Sequence, residues 1–243
     1  MTAWTILHVA ETGSTNADLL AMAPVDANGA SGAADKPGPA ADKTVLIADH
    51  QTAGRGRLDR TWEAPAGASL LMSILLRDVP PEGPHRLTQQ LAVAAARACE
   101  RLAGLTPAIK WPNDLLVGDG KLAGILAQAG IANGRVDHVV IGIGMNLRWA
   151  PDGAAKLGDV DRDTLVDAIL AELDAVQAQP DGGALEYRRR LTTIGNRIRA
   201  ELPGETIEGV AADVLPDGRL VIVTSAGERV IDSGDVIYAR PPR

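Results

Sequence analysis

Past Leu202-Pro203-Gly204 the chain carries only short apolar segments, and that stretch constrains the fold more than any other. Residues 208–215, 219–224, 228–231 and 236–239 are each of strand length, with Pro216-Asp217-Gly218 and Ala226-Gly227 between them as turns. Closely spaced short strands with no helix among them close as a small β-barrel. The predicted organisation is therefore a large unit over residues 1–202 and a small β unit over residues 203–243.

The large unit mixes strands and helices, an α+β (mixed α/β) pattern. Residues 4–9, 44–48, 69–76, 122–128 and 138–146 read as strands. Residues 108–111 are extended, because Pro112 disfavours the helical region for Trp111. Leu87, Leu91, Ala94, Ala98 and Leu102 recur at spacings of three and four, which predicts an amphipathic helix. Leu165, Ile169, Leu173 and Val176 do the same in a helix over 161–179, and a further helix is predicted over 185–201. Ser14 and Thr15 precede the apolar residues 17–22 as a helix N-cap would. Residues 24–43 are mostly Ala, Gly, Asp and Pro, too poor in bulky side chains to pack a core, and are expected to be a flexible insert.

Composition removes several function classes. The 24 Lys and Arg against 31 Asp and Glu leave a net charge of −7, which argues against binding nucleic acid through a basic surface. One cysteine, Cys99, excludes a disulfide framework and any zinc site of several cysteines. The sequence shows neither a secretory leader nor an apolar run of about 18 residues, so no membrane span is expected and the expected location is the cytoplasm.

Three segments place polar or unusual residues where packing does not ask for them. Residues 51–62 hold Gly54 and Gly56 among Arg55, Arg57 and Arg60. Glycines permit close backbone approach, and guanidinium groups match phosphate and carboxylate. The loop is a clamp for a polyanion or, equally, a solvated basic loop. The second segment is Lys110-Trp111-Pro112-Asn113-Asp114 with Lys121-Leu122-Ala123-Gly124-Ile125-Leu126 following. Asp114 can hold a magnesium ion or orient a lysine; alternatively these are turn residues and strand-end lysines of a hairpin. The third, Ile141-Gly142-Ile143-Gly144-Met145-Asn146, puts two glycines in an apolar strand, a sign of close backbone approach or a bulge. It is not a dinucleotide fingerprint, since Leu147 stands where the third glycine belongs.

Taken in order, Ser14-Thr15-Asn16, the G-R-G-R loop, K-W-P-N-D, K-L-A-G-I-L and the glycine strand resemble the biotin protein ligases over residues 4 to 240. The resemblance implies a catalytic domain like a class II aminoacyl-tRNA synthetase core and a C-terminal SH3-like barrel. It implies an enzyme that joins biotin to ATP as biotinyl-5′-AMP, then transfers biotin to a lysine of the biotin carboxyl carrier domain of a carboxylase. Such chemistry needs positioning and charge stabilisation rather than a protein nucleophile.

By the same resemblance, Ser14, Thr15, Asn16, Gln51, Gly54, Arg55, Gly56, Arg57, Lys121, Gly124 and Ile125 fall to biotin. Arg55, Arg57, Arg60, Trp62, Lys110, Trp111, Asn113, Asp114, Gly144 and Asn146 fall to ATP and the adenylate. Arg57, Lys121 and Asp114 are the implied catalytic residues, with Asp114 beside Mg2+. The loop 51–62 is implied to fold over bound ligand. Asp59 departs from the glycine of many members. Some members begin with a DNA-binding winged helix. The motifs here start at Ser14, so neither DNA binding nor repression is expected, and the implied state is a monomer or weak homodimer. Two alternatives stay open. A lipoate–protein ligase shares the fold but lacks the G-R-G-R and K-W-P-N-D pair; a non-catalytic biotin-binding module would not need the phosphate-side residues. The arginines at 188, 189, 190, 197 and 199 are read as the solvated face of one helix, or as a dock for an acidic carrier.

Overall fold

The computed structural model describes residues 3–23, 40–58, 60–80, 83–132 and 134–238. Most of the Ala/Gly/Pro-rich insert and Asp59 lie outside the described residues.

The strand pattern of the large unit becomes one seven-stranded sheet. Its strands are β1 (Thr5–Thr12), β2 (Thr44–Gln51), β3 (Ser69–Leu76), β4 (Ala108–Lys110), β5 (Asp114–Val117), β6 (Gly120–Ala132) and β7 (Arg135–Asn146). They lie in the order β1-β2-β3-β7-β6-β5-β4. β1 and β2 run parallel and the other neighbours antiparallel. β3 is buried along its whole length because both faces of the sheet are covered. Alternation sends Leu70, Met72, Ile74 and Leu76 into the main core, under the long helix α2 (Pro84–Ala103) and its neighbour α3 (Arg162–Gln177). Leu75 faces the other way, onto Leu19 of α1 (Thr15–Met22), with Leu46 and Val140 beside it.

The helix predicted over 185–201 is two elements. α4 (Ala184–Arg190) ends early, and Arg197–Leu202 is strand β8. Gly195 takes φ +84, outside the range of a helix. Arg-Ile-Arg-Ala-Glu-Leu then alternates, with Ile198 and Ala200 buried between exposed Arg197 and Arg199, which is a strand period. The five arginines therefore share no helix face. Arg190 is paired with Glu100 and Glu186, and Arg188 with Asp213.

β8 joins β9 (Glu205–Val214), β10 (Leu220–Thr224), β11 (Gly227–Ile231) and β12 (Asp235–Tyr238) in an antiparallel sheet of order β11-β10-β9-β8-β12. The turn at Pro216-Asp217-Gly218 falls where the sequence places it. The one expected at Ala226-Gly227 lies one residue earlier, at Ser225-Ala226, with Gly227 already paired to Thr224 as the first residue of β11. Ile198, Ala200, Ile207, Leu220, Ile222 and Val236 belong to the same apolar cluster as the main core. Trp111 pins the two sheets together: its indole N–H donates to Gly218 O at 2.8 Å and its backbone N–H to Thr193 Oγ1 at 2.9 Å.

Candidate active site

A cleft of about 960 Å³, open mouth included, lies on the α1 side of the large sheet. Sheet register builds its floor. Leu71, Gly144, Gly124 and Asp114 sit side by side across β3, β7, β6 and β5, and Ser73, Gly142 and Leu126 form the next row. The two glycines of β7 mark close approach. A Cβ on Gly142 would lie 2.2 Å from Asn16 Oδ1, and one on Gly144 would lie 2.6 Å from the Trp62 ring. So the glycine strand is the flat bed on which α1 and the ligand loop rest.

At one end of the cleft the start of α1 supplies polar groups. Asn16 donates to Leu126 O at 3.1 Å and Gln128 Oε1 at 2.9 Å, while its Oδ1 lies 2.6 Å from Ser73 Oγ. Thr15 donates from its backbone N–H and its hydroxyl to Gln51 Oε1, at 2.8 and 3.0 Å. Ser14 occupies the N-cap position in an extended conformation, but its hydroxyl makes no capping bond and lines the cleft. The expected cap is thus absent in its chemistry, which leaves that hydroxyl to a ligand. Ser73 is a contributor that motif reading missed. Its signal is a hydroxyl in the middle of Ser-Leu-Leu-Met-Ser-Ile-Leu-Leu.

The glycine-arginine loop folds back across the cleft. Arg55 bridges Thr61, Gly56 N–H donates to Arg60 O at 2.6 Å, and Trp62 N–H donates to Gly54 O at 3.0 Å. Gly54 is needed for that closure, since a Cβ there would meet Trp62 O at 2.3 Å. Leu58 holds φ +52, a left-handed conformation that costs a leucine about 1–2 kcal/mol. Arg57 makes no ion pair among the described residues, and burial pushes its guanidinium below the usual arginine value, with Asp114 opposing the shift. A half-buried cation facing a cleft is poised for an anion. The indole N–H of Trp62 is buried without an acceptor.

At the other end Lys121 Nζ lies 2.7 Å from Asp114 Oδ1 and 5.7 Å from the centre of the Trp62 ring. The Asp114 contact is one of charge, and that oxygen has no aligned hydrogen-bond donor. Most of the motif residues border the cleft, but not all offer it a side chain. Asn113 donates to Ile125 O at 2.6 Å, holding the β4–β5 turn to β6. Trp111 is 1% exposed, so its ring is spent inside the protein rather than open to a base. Asn146 lies beneath the cleft, donating to Lys121 O and Ala155 O at 3.2 and 3.0 Å. Lys110 borders the cleft, its ammonium 5.3 Å from the Tyr238 ring. Two further lining residues, Gly234 and Asp235, come from the C-terminal sheet and carry no motif.

Among the described residues five cations therefore surround the cleft against two carboxylates, Asp114 and Asp235, in a chain of net charge −7. Cys99 takes no part. It is buried, its thiol pushed up to about 12 by burial, with Sγ 3.9 Å from Met145 Sδ. It is expected to resist a thiol reagent in the folded protein and to react once denaturant is added. Rapid labelling of the native protein would contradict its burial.

Two family models match the chain, the biotin/lipoate A/B protein ligase family over residues 36–146 and the biotin protein ligase C-terminal domain over 193–238. The chain is 40% identical to a biotin--[acetyl-CoA-carboxylase] ligase of Mycobacterium tuberculosis, across 96% of this chain and 88% of that protein. The chain belongs to the biotin protein ligase family. A bifunctional ligase/repressor of Bacillus subtilis is 33% identical over 81% of this chain and 66% of its own length. The fold matches that of a biotin protein ligase from Aquifex aeolicus in complex with biotin and ATP. The TM-score is 0.72 at 24% identity, covering 98% and 99% of the two chains. The mixed sheet with its SH3-like C-terminal unit is the architecture of this family.

Proposed function

We propose that this chain activates biotin with ATP and transfers the biotinyl group to a lysine on the biotin carboxyl carrier domain of a carboxylase. The observation that carries the reading is one cleft with a polar, uncharged pocket at one end and converging cations at the other. Ser14, Thr15 and Asn16 over Gly142 suit the neutral ring system of biotin, and Leu71 and Leu126 supply its apolar walls. Arg57 and Lys121 suit the carboxylate and the α-phosphate.

In the first step a biotin carboxylate oxygen attacks the α-phosphorus and pyrophosphate leaves. Lys121 and Arg57 offset the charge that gathers at the reacting oxygens, and Asp114 holds the Lys121 ammonium in place. In the second step the carrier lysine amine attacks the acyl carbon. The new N–C bond displaces AMP, and the amine proton passes to solvent. The loop over Trp62 keeps water from the hydrolysable adenylate meanwhile.

Asp114 is the carboxylate that would hold a Mg2+ ion brought in with ATP, and that ion would compete with Lys121, which already lies 2.7 Å from Asp114 Oδ1. When bound, that ion supplies charge neutralisation on the phosphates. Among the described residues no helix is long and apolar enough to cross a membrane, and the proposed place of action is the cytoplasm.

The test is mass spectrometry of a carrier domain incubated with the purified protein, biotin and Mg-ATP, with lipoate in parallel. An ATP-dependent biotin increment on the carrier lysine is expected. Lipoate labelling would overturn the substrate, and biotin binding without transfer would leave a binding module. Within the same assay, Arg57→Ala is expected to release the adenylate and label bystander lysines. Clean labelling of the carrier alone would contradict the role given to Arg57.

A further inference from the structure

The closed loop holds a disfavoured leucine at its tip, so it needs an anchor outside itself. The second sheet provides one. Asp235 opens β12 and borders the cleft, and its Oδ2 accepts a hydrogen bond from Arg60 Nη2. Arg60 is 62% exposed and Asp235 25%, so the pair sits at the cleft mouth.

β12 is itself braced. It pairs with β8, Asp235 opposite Glu201. At its far end the Tyr238 hydroxyl lies 2.9 Å from Thr192 Oγ1, and Lys110 lies over its ring. A carboxylate on such a strand is a fixed point against which a loop can be held. Asp235 also raises the Arg60 guanidinium above its usual value and opposes the burial shift at Arg57.

We propose that Asp235 is a positioning residue for the ligand loop, tying Arg60 to the C-terminal sheet and so slowing escape of the bound adenylate. A guanidinium has five N–H donors, so the tie leaves others free for a phosphate. The C-terminal sheet then acts in retention of the intermediate, although the chemistry lies on the large sheet. The identity of the retained ligand rests on the proposed function; the tie itself does not.

The test compares the parent protein with Asp235→Asn, which removes the charge at constant shape, and Asp235→Glu, which keeps it. One readout is tryptic cleavage after Arg55, Arg57 and Arg60 without ligand, at low and high salt. The other is escape of biotinyl-AMP made in a single turnover. Asp235→Asn is expected to be cut, and to lose adenylate, about three- to fivefold faster than the parent, as for a partly exposed ion pair. Asp235→Glu should stay near the parent. Salt should speed tryptic cleavage of the ligand-free parent by screening the pair and do little to that of Asp235→Asn. Escape is compared between the two at the same salt, because salt also screens the cations that hold the adenylate. Parental behaviour of Asp235→Asn in both readouts would overturn the proposal. So would an Asp235→Glu variant as leaky as Asp235→Asn, which would mean shape rather than charge. If the parent forms no adenylate, the proposed function fails, and tryptic cleavage alone decides the tie.

Discussion

Replacing Lys121 by alanine is expected to slow biotinyl-AMP formation by about 10²–10³-fold, the range for losing one preorganised charge-stabilising donor. The position of the ammonium is closely specified. Asn146 holds the Lys121 carbonyl, Asp114 Oδ1 lies 2.7 Å from Nζ, and the Trp62 ring closes over it. Removing the side chain also leaves the Asp114 carboxylate without its countercharge at the point where phosphate must approach. The deficit should appear in the rate of pyrophosphate release more than in biotin affinity, since the ring pocket at Ser14–Asn16 is untouched. Lys121→Arg is not expected to restore the rate, because a planar fork does not reproduce a compact point charge. Single-turnover pyrophosphate release at the parental rate in Lys121→Ala would remove Lys121 from the mechanism.

Gly142→Ala is expected to abolish high-affinity biotin binding, with a loss of about a hundredfold or more, while costing about 1–3 kcal/mol of stability by overpacking. The added methyl would sit 2.2 Å from Asn16 Oδ1. Asn16 cannot yield freely, because it is 5% exposed and bonded to Leu126 O, Gln128 Oε1 and Ser73. Moving it leaves buried partners unpaired, each at a cost of about 1–3 kcal/mol. Calorimetric titration with biotin, read beside a melting curve, separates the two effects. Parental affinity would show that Asn16 and Gly142 do not form the ring pocket.

The motifs were legible because they break local rules: arginines between glycines, a lysine in an apolar strand, glycines where a strand wants branched side chains. Their exact duties were less so. Asn113, Asn146 and Trp111 look, as residue types, like ligand contacts. The fold turns Asn113 and Asn146 onto backbone carbonyls and the Trp111 indole onto the second sheet. A polar side chain that satisfies a buried carbonyl and one that meets a ligand are the same in composition, and only the neighbours across the sheet separate them. The segment 185–201 failed for a related reason: its arginines fit a solvated helix face, and the alternation of Ile198 and Ala200 is only two residues deep.

The sequence by itself determined the main strands and the two long helices of the large unit, the all-β character of the tail, the exclusion of cysteine chemistry and the five blocks that carry the family pattern. These rest on periodicities and residue types that act within a few neighbours along the chain. Only the tertiary structure decided that Ser73 supports the start of α1, that Gly142 and Gly144 form the cleft floor, and that Asp235 reaches Arg60 from 175 residues away. Sheet register sets such contacts, and register depends on how both faces are buried, which no local spacing records.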